Sequence, residues 1–197
     1  MSLTDLHPPI TQPLGNVTTL RLDLRRFDDS DLDEIAALSA NPDVWGDHLG
    51  RLFDRAETQT FLDRQITHWA QRHFGYWAAR DRLTGRMIGY VGLSVPTFLP
   101  AILPTVDLGW RFASSAWGNG YATEGARAAL DQAFSTMELQ HVCSIVQADN
   151  LRSRHVTERL GMRPIDRYVV PANKQRDQVT VIHYEINRSD WITERYR

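Results

Sequence analysis

Trp110-Arg-Phe-Ala-Ser-Ser-Ala-Trp-Gly-Asn-Gly-Tyr-Ala-Thr-Glu124 is the most informative stretch of this chain. A strand-like segment ends near Phe112, and apolar residues then recur at helical spacing at Ala122, Ala126, Ala129, Leu130, Ala133 and Phe134. Gly118 and Gly120 lie between the two. Glycines there let backbone N–H groups approach an anion, and a helix N-terminus adds partial positive charge. A pyrophosphate suits such a place; a plain helix-capping turn is the alternative. A Walker loop would need Gly-Lys-Ser/Thr, but Tyr121 and Ala122 follow Gly120. A dinucleotide fingerprint would need Gly or Ala at position 123, which is Thr123.

Upstream, Leu20, Leu22 and Leu24 alternate with polar residues over Thr18–Arg25, the period of a half-buried strand. Asp28 is placed to cap a following helix, which Asn41-Pro42 ends. Glu57–His73 reads as a longer helix. Tyr76–Arg80 and Met87–Ser94 read as strands around the turn Leu83–Arg86, and Pro96–Pro104 as a loop. Thr105–Phe112 is a further strand. Downstream, His141–Gln147 is a strand, Leu151–Leu160 a helix, and Arg163–Val170 and Val179–Ile186 two closing strands. The order predicts an α/β (α+β) domain with a mixed, mostly antiparallel sheet of six to seven strands. It lacks the strict alternation of a doubly wound nucleotide-binding fold. We expect residues 1–17 to be an N-terminal extension, 18–191 the domain and 192–197 a tail.

The composition agrees with one globular domain: 197 residues, 42% hydrophobic and 23% charged. The single cysteine, Cys143, excludes an internal disulfide framework and a multi-cysteine zinc site. It sits in an apolar strand and reads as a buried, inert thiol. The seven histidines show neither His-x-x-x-His nor Glu-x-x-His spacing, so no metal site is expected. The start lacks the pattern of a signal peptide and no apolar run reaches membrane-spanning length, so a soluble, cytoplasmic protein is expected. The formal charge of −2 gives no reason to expect a nucleic-acid partner. It averages over opposite regions, however. Asp28–Glu34 holds five acidic residues, whereas Leu151–Arg167 holds Arg152, Arg154, Arg159, Arg163 and Arg167 against Glu158 and Asp166.

Four segments carry a resemblance, in order, to the GNAT N-acetyltransferase superfamily. Trp117–Ala122 resembles its Gln/Arg-x-x-Gly-x-Gly/Ala signature, with the leading Trp of the RimJ/RimL-like branch. Asn150-Leu-Arg-Ser153-Arg-His-Val-Thr-Glu158-Arg-Leu-Gly-Met162 is similar to that branch's Asn-x-x-Ser-x-x-Val-x-Glu segment. Leu20–Arg25 with Asp31 resembles the family's opening strand and helix, and Gly89-Tyr-Val-Gly92 its Gly-x-x-Gly strand.

The resemblance implies acetyl-CoA as cofactor and a primary amine as acceptor, either a protein N-terminus or a small molecule. It implies that the strands matching Val106–Phe112 and His141–Gln147 splay apart to admit the pantetheine arm. Ser115, Trp117, Gly118, Asn119, Gly120, Ala122 and Thr123 would hold the pyrophosphate. Backbone groups of Phe112 and Ala113 would hold the pantetheine, one N–H polarising the thioester carbonyl. Asn150 and Ser153 would lie near the sulfur, and the basic helix, Arg154 included, near the phosphates.

Asp107 is the first candidate for a general base; its alternative is a solvated strand-face carboxylate. Many relatives carry a Tyr acid seven residues after the motif Asn, but here that residue is Thr157. The resemblance points instead to Ser153, which matches the serine of the RimJ/RimL-like branch, as the catalytic candidate on the sulfur side, through proton transfer or a hydrogen bond; the alternative is that it only caps the helix. Glu124 reads as a compensator of the helix dipole, and Glu158 as an i, i+4 partner of Arg154. Trp69 and Trp77 read as core, while Trp45, Asp47 and His48 are candidates for the acceptor pocket. Two other readings compete: a catalytically degenerate acyl-CoA-binding sensor or interaction module, and a nucleotide-binding domain. The hairpin Arg163–Ile186 and the segment Asp190–Arg197 leave monomer and homodimer both open.

Overall fold

The computed structural model describes residues 7–8, 10, 12–44, 52–172 and 177–195. Its centre is one eight-stranded sheet in the order β1-β2-β3-β4-β5-β6-β8-β7. The strands are β1 (Val17–Thr18), β2 (Leu22–Arg26), β3 (Tyr76–Asp81), β4 (Met87–Ser94), β5 (Asp107–Phe112), β6 (His141–Gln147), β7 (Arg163–Val170) and β8 (Val179–Asn187). The helices are α1 (Leu32–Ser39), α2 (Arg55–Arg72), α3 (Tyr121–Ser135), α4 (Leu151–Arg159) and α5 (Arg188–Arg195). Every neighbouring pair of strands is antiparallel except β5–β6. No described helix is long and apolar enough to cross a membrane.

The sheet has one strand more than the six to seven read from the sequence. The addition is the two-residue β1, too short to show a hydrophobic period. The opening segment also begins pairing later than expected, because Leu20 is exposed and the strand proper starts at Leu22. The C-terminal helix α5 was not legible as an element either. It is anchored by Trp191, which is buried and donates from Nε1 to Asp131 Oδ1 at 3.0 Å. Before residue 18, Leu14 is buried and donates its N–H to the His73 carbonyl at 2.9 Å.

Helix starts follow local chemistry. Asp28 caps a single 3-10 turn, Asp29–Asp31, which leads into α1, and Asp31 completes a capping box by accepting from the Asp28 N–H. Asp54 and Glu57 form a second box, so α2 begins two residues before the expected Glu57. The pleat of β3 then divides the core. Trp77 and Ala79 point to the face that includes Val91, Ala126, Leu130 and Phe134, whereas Ala78 joins Phe27, Ile35, Leu62 and Tyr90 on the face covered by α1 and α2. Trp69 and Trp77 are buried core, as their apolar neighbourhoods suggested.

Candidate acetyl-transfer site

The parallel pair β5–β6 holds together at one register position, Asp107 opposite Cys143. There the Cys143 N–H reaches the Val106 carbonyl at 3.0 Å. One step further, side chains replace the ladder. The Asp107 carboxylate accepts from Ile145 N–H at 2.9 Å, and Ser144 Oγ donates to the Leu108 carbonyl at 2.8 Å. With those β6 and β5 groups occupied, the strands part.

On its other edge β5 is fully paired with β4. Ala113 N–H donates to the Ile88 carbonyl at 2.8 Å, which fixes the alternation of that antiparallel ladder. The peptide groups of Arg111 and Gly109 therefore face β4, and those of Trp110 and Phe112 face the gap. The gap is a cleft of about 540 Å³ lined by residues of β5, β6, the glycine loop and α4. An extended chain bearing amides fits such an edge by adding to the sheet.

The loop closes one wall. Gly118 and Gly120 have φ of 75° and 79°, the left-handed region that costs an L side chain about 1 kcal/mol or more. Gly120 is the N-cap of α3 and, having no side chain, leaves the first-turn N–H groups of Tyr121, Ala122 and Thr123 without intrahelical partners. A Cβ built on Gly118 would meet nothing within 4 Å, so the loop opens onto space. Arg21 braces it from outside, donating from Nη1 to the Asn119 carbonyl at 2.8 Å and lying 4.6 Å over the Tyr121 ring. Trp117 Nε1 donates to the Phe112 carbonyl at 2.9 Å. Arg152 of α4 lies 4.0 Å over the Trp117 ring, so the two walls touch across the mouth.

The cleft brings together Asp107, Phe112, Trp117, Gly118, Gly120, Ala122, Thr123, Asn150 and Ser153 of the expected set. Asn150 Oδ1 caps α4 by accepting from Ser153 N–H at 3.1 Å. Ser153 is half-buried, and its hydroxyl makes no hydrogen bond among the described residues. Four expected residues do not line the cleft. Ala113 has its N–H bound to β4, so the backbone N–H groups of β5 that face the gap are those of Trp110 and Phe112. Ser115 is exposed outside the cleft. The Asn119 side chain folds back to the Trp117 carbonyl at 3.1 Å. Arg154 turns beneath its helix, donating to Tyr184 Oη at 3.2 Å and to the Ala148 carbonyl at 3.1 Å. Arg154 thus ties α4 to the sheet, and among the described residues it makes no ion pair with Glu158. Arg152 and Arg159 face the cleft in its place. Trp45, Asp47 and His48 lie outside the described residues.

Asp107 is buried, and burial pushes its carboxyl up to about 7 despite the hydrogen bonds from Ile145 N–H and Ser94 that oppose the rise. Glu124 lies away from the cleft. It accepts from Thr19 Oγ1 at 2.6 Å, Arg21 N–H at 2.8 Å and Arg21 Nε at 2.6 Å. Burial works to raise its pKa, but these bonds and the guanidinium bring it below the ordinary value. Glu124 is therefore a clamp between β2 and α3 rather than only a dipole partner. Thr157 is fully buried and donates to the Arg154 carbonyl at 2.7 Å, far from the role of a Tyr acid. Cys143 is buried and its thiol is held well above the usual range by that burial. Sequence reasoning missed Tyr76, Tyr90, Phe98, Arg111 and His155, all of which line the cleft. They converge from separate strands, a loop and a helix, and no local motif marks them.

The acetyltransferase (GNAT) domain profile matches residues 21–163. The chain is 34% identical over 152 residues to the uncharacterized protein YkkB of Bacillus subtilis, covering 74% of this chain and 84% of that protein. Its fold is similar to a putative ribosomal-protein-serine acetyltransferase from Vibrio cholerae, with a TM-score of 0.75 at 16% identity over 90% of this chain and 99% of the other. It is also similar to a spermidine N-acetyltransferase from Vibrio cholerae crystallised with CoA and spermine, with a TM-score of 0.68 at 20% identity over 88% of this chain and 99% of the other. The chain belongs to the GNAT acetyltransferase superfamily, in the RimJ/RimL-like branch. It is a GNAT-family N-acetyltransferase, and that fold implies binding of acetyl-CoA.

Proposed function

We propose that this protein transfers an acetyl group from acetyl-CoA to a primary amine by direct attack of the amine on the thioester. The observation that carries the reading is the parting of β5 and β6 after one pair, which leaves a cleft running from the glycine loop to buried Asp107. The residues present fit the coenzyme. The edge facing the gap at Trp110 and at the Phe112 N–H suits the amides of a pantetheine arm, and the uncapped first turn of α3 suits a pyrophosphate. Arg152 and Arg159 add positive charge on the facing wall.

Acetyl-CoA supplies the activated acyl group. Within the chain, the Trp110 or Phe112 N–H donates to the acyl oxygen and polarises it. Asp107, whose carboxyl titrates near neutrality, accepts the proton that the attacking amine must lose. The Ser153 hydroxyl donates a hydrogen bond to the departing sulfur. A thiol of pKa about 8.5 needs no strong acid, so a serine is sufficient. Tyr76, Tyr90 and Phe98, with Val44, line the cleft and supply an aromatic and apolar wall for the acceptor. Of the two neighbours named above, one is described as a putative ribosomal-protein-serine acetyltransferase and the other as a spermidine N-acetyltransferase, so the acceptor here is sought among protein N-termini and small amines.

Thiol release from acetyl-CoA, followed with a chromogenic disulfide across a panel of N-terminal peptides, polyamines and amino acids, tests the reading. Turnover that depends on one class of amine supports it. Tight coenzyme A binding by calorimetry with no turnover on any amine up to pH 9 would replace it with a binding module.

A further inference from the structure

Across the sheet, Tyr76 of β3, Gly92 of β4 and Gly109 of β5 stand in one register row, and Ser94 stands beside Asp107 in the next row on the same face. The two glycines leave the surface beside Tyr76 bare. Its ring crosses β5 so closely that a Cβ on Gly109 would lie 2.5 Å from Tyr76 Oη. The phenol thereby reaches Ser94 Oγ at 3.1 Å, and Ser94 Oγ lies 3.4 Å from Asp107 Oδ2. Asp107 Oδ1 is occupied by the Ile145 N–H. Tyr76 and Asp107 both line the cleft, whereas Ser94 stands behind them.

We propose that Tyr76, Ser94 and Asp107 form a directed proton relay, with Tyr76 receiving the amine's proton and Asp107 Oδ2 as its terminus. The inference rests on the acetyltransferase reading above, with Asp107 as base. The direction follows from counting hydrogens. An ionised carboxylate only accepts, so the single Ser94 hydrogen points to Asp107 Oδ2, and the Tyr76 hydrogen must point to Ser94 Oγ. Tyr76 Oη then keeps a lone pair for a second donor, and Tyr76 lines the cleft. When the amine attacks, its N–H bond breaks and an O–H bond forms at Tyr76. The original phenolic hydrogen passes to Ser94 Oγ, and the serine hydrogen passes to Asp107 Oδ2. One proton leaves the amine and one arrives at the carboxylate, and both hydroxyls end neutral. Tyr76 does not act as an anion, because burial holds its phenol far above the ordinary range. It conducts a proton to a group that can keep one. Ser94 acts through its neighbours and is a positioning residue.

The titratable groups facing Asp107 are Tyr76 from β3 and Cys143 from β6. Glu185 of β8 acts on Cys143 from beyond, and Arg111 lies further along β5 near Tyr76 and Tyr90. Cys143 stays protonated in the working range, but His155 of α4 also lines the cleft, so the profile is taken in a His155→Gln background, where a limb near neutrality reports Asp107.

The test measures kcat, KM and the pH profile for Ser94→Ala, Ser94→Thr, Tyr76→Phe, the pair Ser94→Ala/Tyr76→Phe, and Asp107→Asn, on an amine the wild type acetylates. The relay predicts a fall in kcat of roughly 10- to 100-fold for Ser94→Ala and for Tyr76→Phe, with KM for acetyl-CoA within about twofold. It predicts that Ser94→Thr keeps most of the rate, and that the double variant is no slower than the slower single one, as for members of one chain. The acidic limb moves to higher pH in Ser94→Ala, because a hydrogen bond to the carboxylate is lost. Wild-type kcat and an unmoved limb in Ser94→Ala and Tyr76→Phe, alongside an inactive Asp107→Asn, would overturn the relay and leave Asp107 as a direct base. Multiplying losses in the double variant would overturn it too. Full activity in Asp107→Asn would instead strike the base assignment itself. Should Ser94→Ala fail to show a cooperative thermal transition, Tyr76→Phe and Ser94→Thr decide the matter.

Discussion

Replacing Asp107 by asparagine should separate the two demands placed on this residue. The carboxyl is ordinary at 3.8 and is pushed up to about 7 by burial, a difference equivalent to about 4 kcal/mol. Because the folded-state value is raised, Asp107 opposes folding once ionised. That penalty is absent below about pH 4, grows as pH rises toward 7, and is complete above it. Asparagine keeps the geometry: its Oδ1 can accept from Ile145 N–H as Asp107 does, and its amide can donate to Ser94 Oγ in place of the present bond. We expect Asp107→Asn to be more stable than wild type by about 2–4 kcal/mol at pH 8 and equal to it near pH 4. The same change should lower kcat by about 10²- to 10⁴-fold, because an amide cannot accept the amine's proton. Urea unfolding at pH 4, 6 and 8, beside thiol release under saturating acetyl-CoA, measures both effects. A variant less stable than wild type at pH 8, or one with kcat within threefold of wild type, would refute the reasoning.

Gly120→Glu should weaken coenzyme A binding at least tenfold by calorimetry. The new side chain needs a left-handed backbone and sets a carboxylate beside the uncapped amides of α3; unchanged affinity in a folded variant would remove the loop from the phosphate site. Glu124→Ala should lower stability by about 1–3 kcal/mol in chemical denaturation, since three donors from Thr19 and Arg21 lose their acceptor. Ser153→Ala should slow turnover more than it weakens coenzyme A binding, and an unchanged rate would take its hydroxyl out of the mechanism. His68 is pushed down to about 4 by burial, with Arg72 and His7 adding to the effect, so it favours the fold only when neutral. Stability should therefore fall as pH drops from about 6.5 toward 4, and His68→Leu should flatten that slope in thermal melts.

Much of the cleft could be read from short segments because its chemistry is local. A glycine loop must lie next to the helix it precedes, so Trp117–Thr123 was legible as a loop opening a helix without any partner segment. The strands β4, β6 and β7 were legible to the residue because their apolar patterns are bounded by turns. Local pattern failed where a side chain had two local options and a distant one. Arg154 had Glu158 within its own helix, yet the Ala148 carbonyl and Tyr184 hydroxyl offered a more buried pair of acceptors. Ala113 sat at the expected position for an acyl-oxygen donor, but pairing with Ile88 turned its N–H the other way. Strand phase follows from the partner strand, and a single sequence does not contain that pairing.

Order along the chain, the glycine loop, the helix cap at Asp28 and the family were all present in the residues, since each depends on neighbours within a few positions. The place where β5 and β6 part was settled only by the fold. It depends on the Asp107 carboxylate taking a β6 amide 38 residues away, and on the desolvation that comes with enclosure. The same holds for Tyr76, whose reach to Ser94 needs glycines on two other strands to fall beside it. Proton affinity and hydrogen-bond direction are set by what surrounds a group in space, and those surroundings come into being only when distant strands share one sheet.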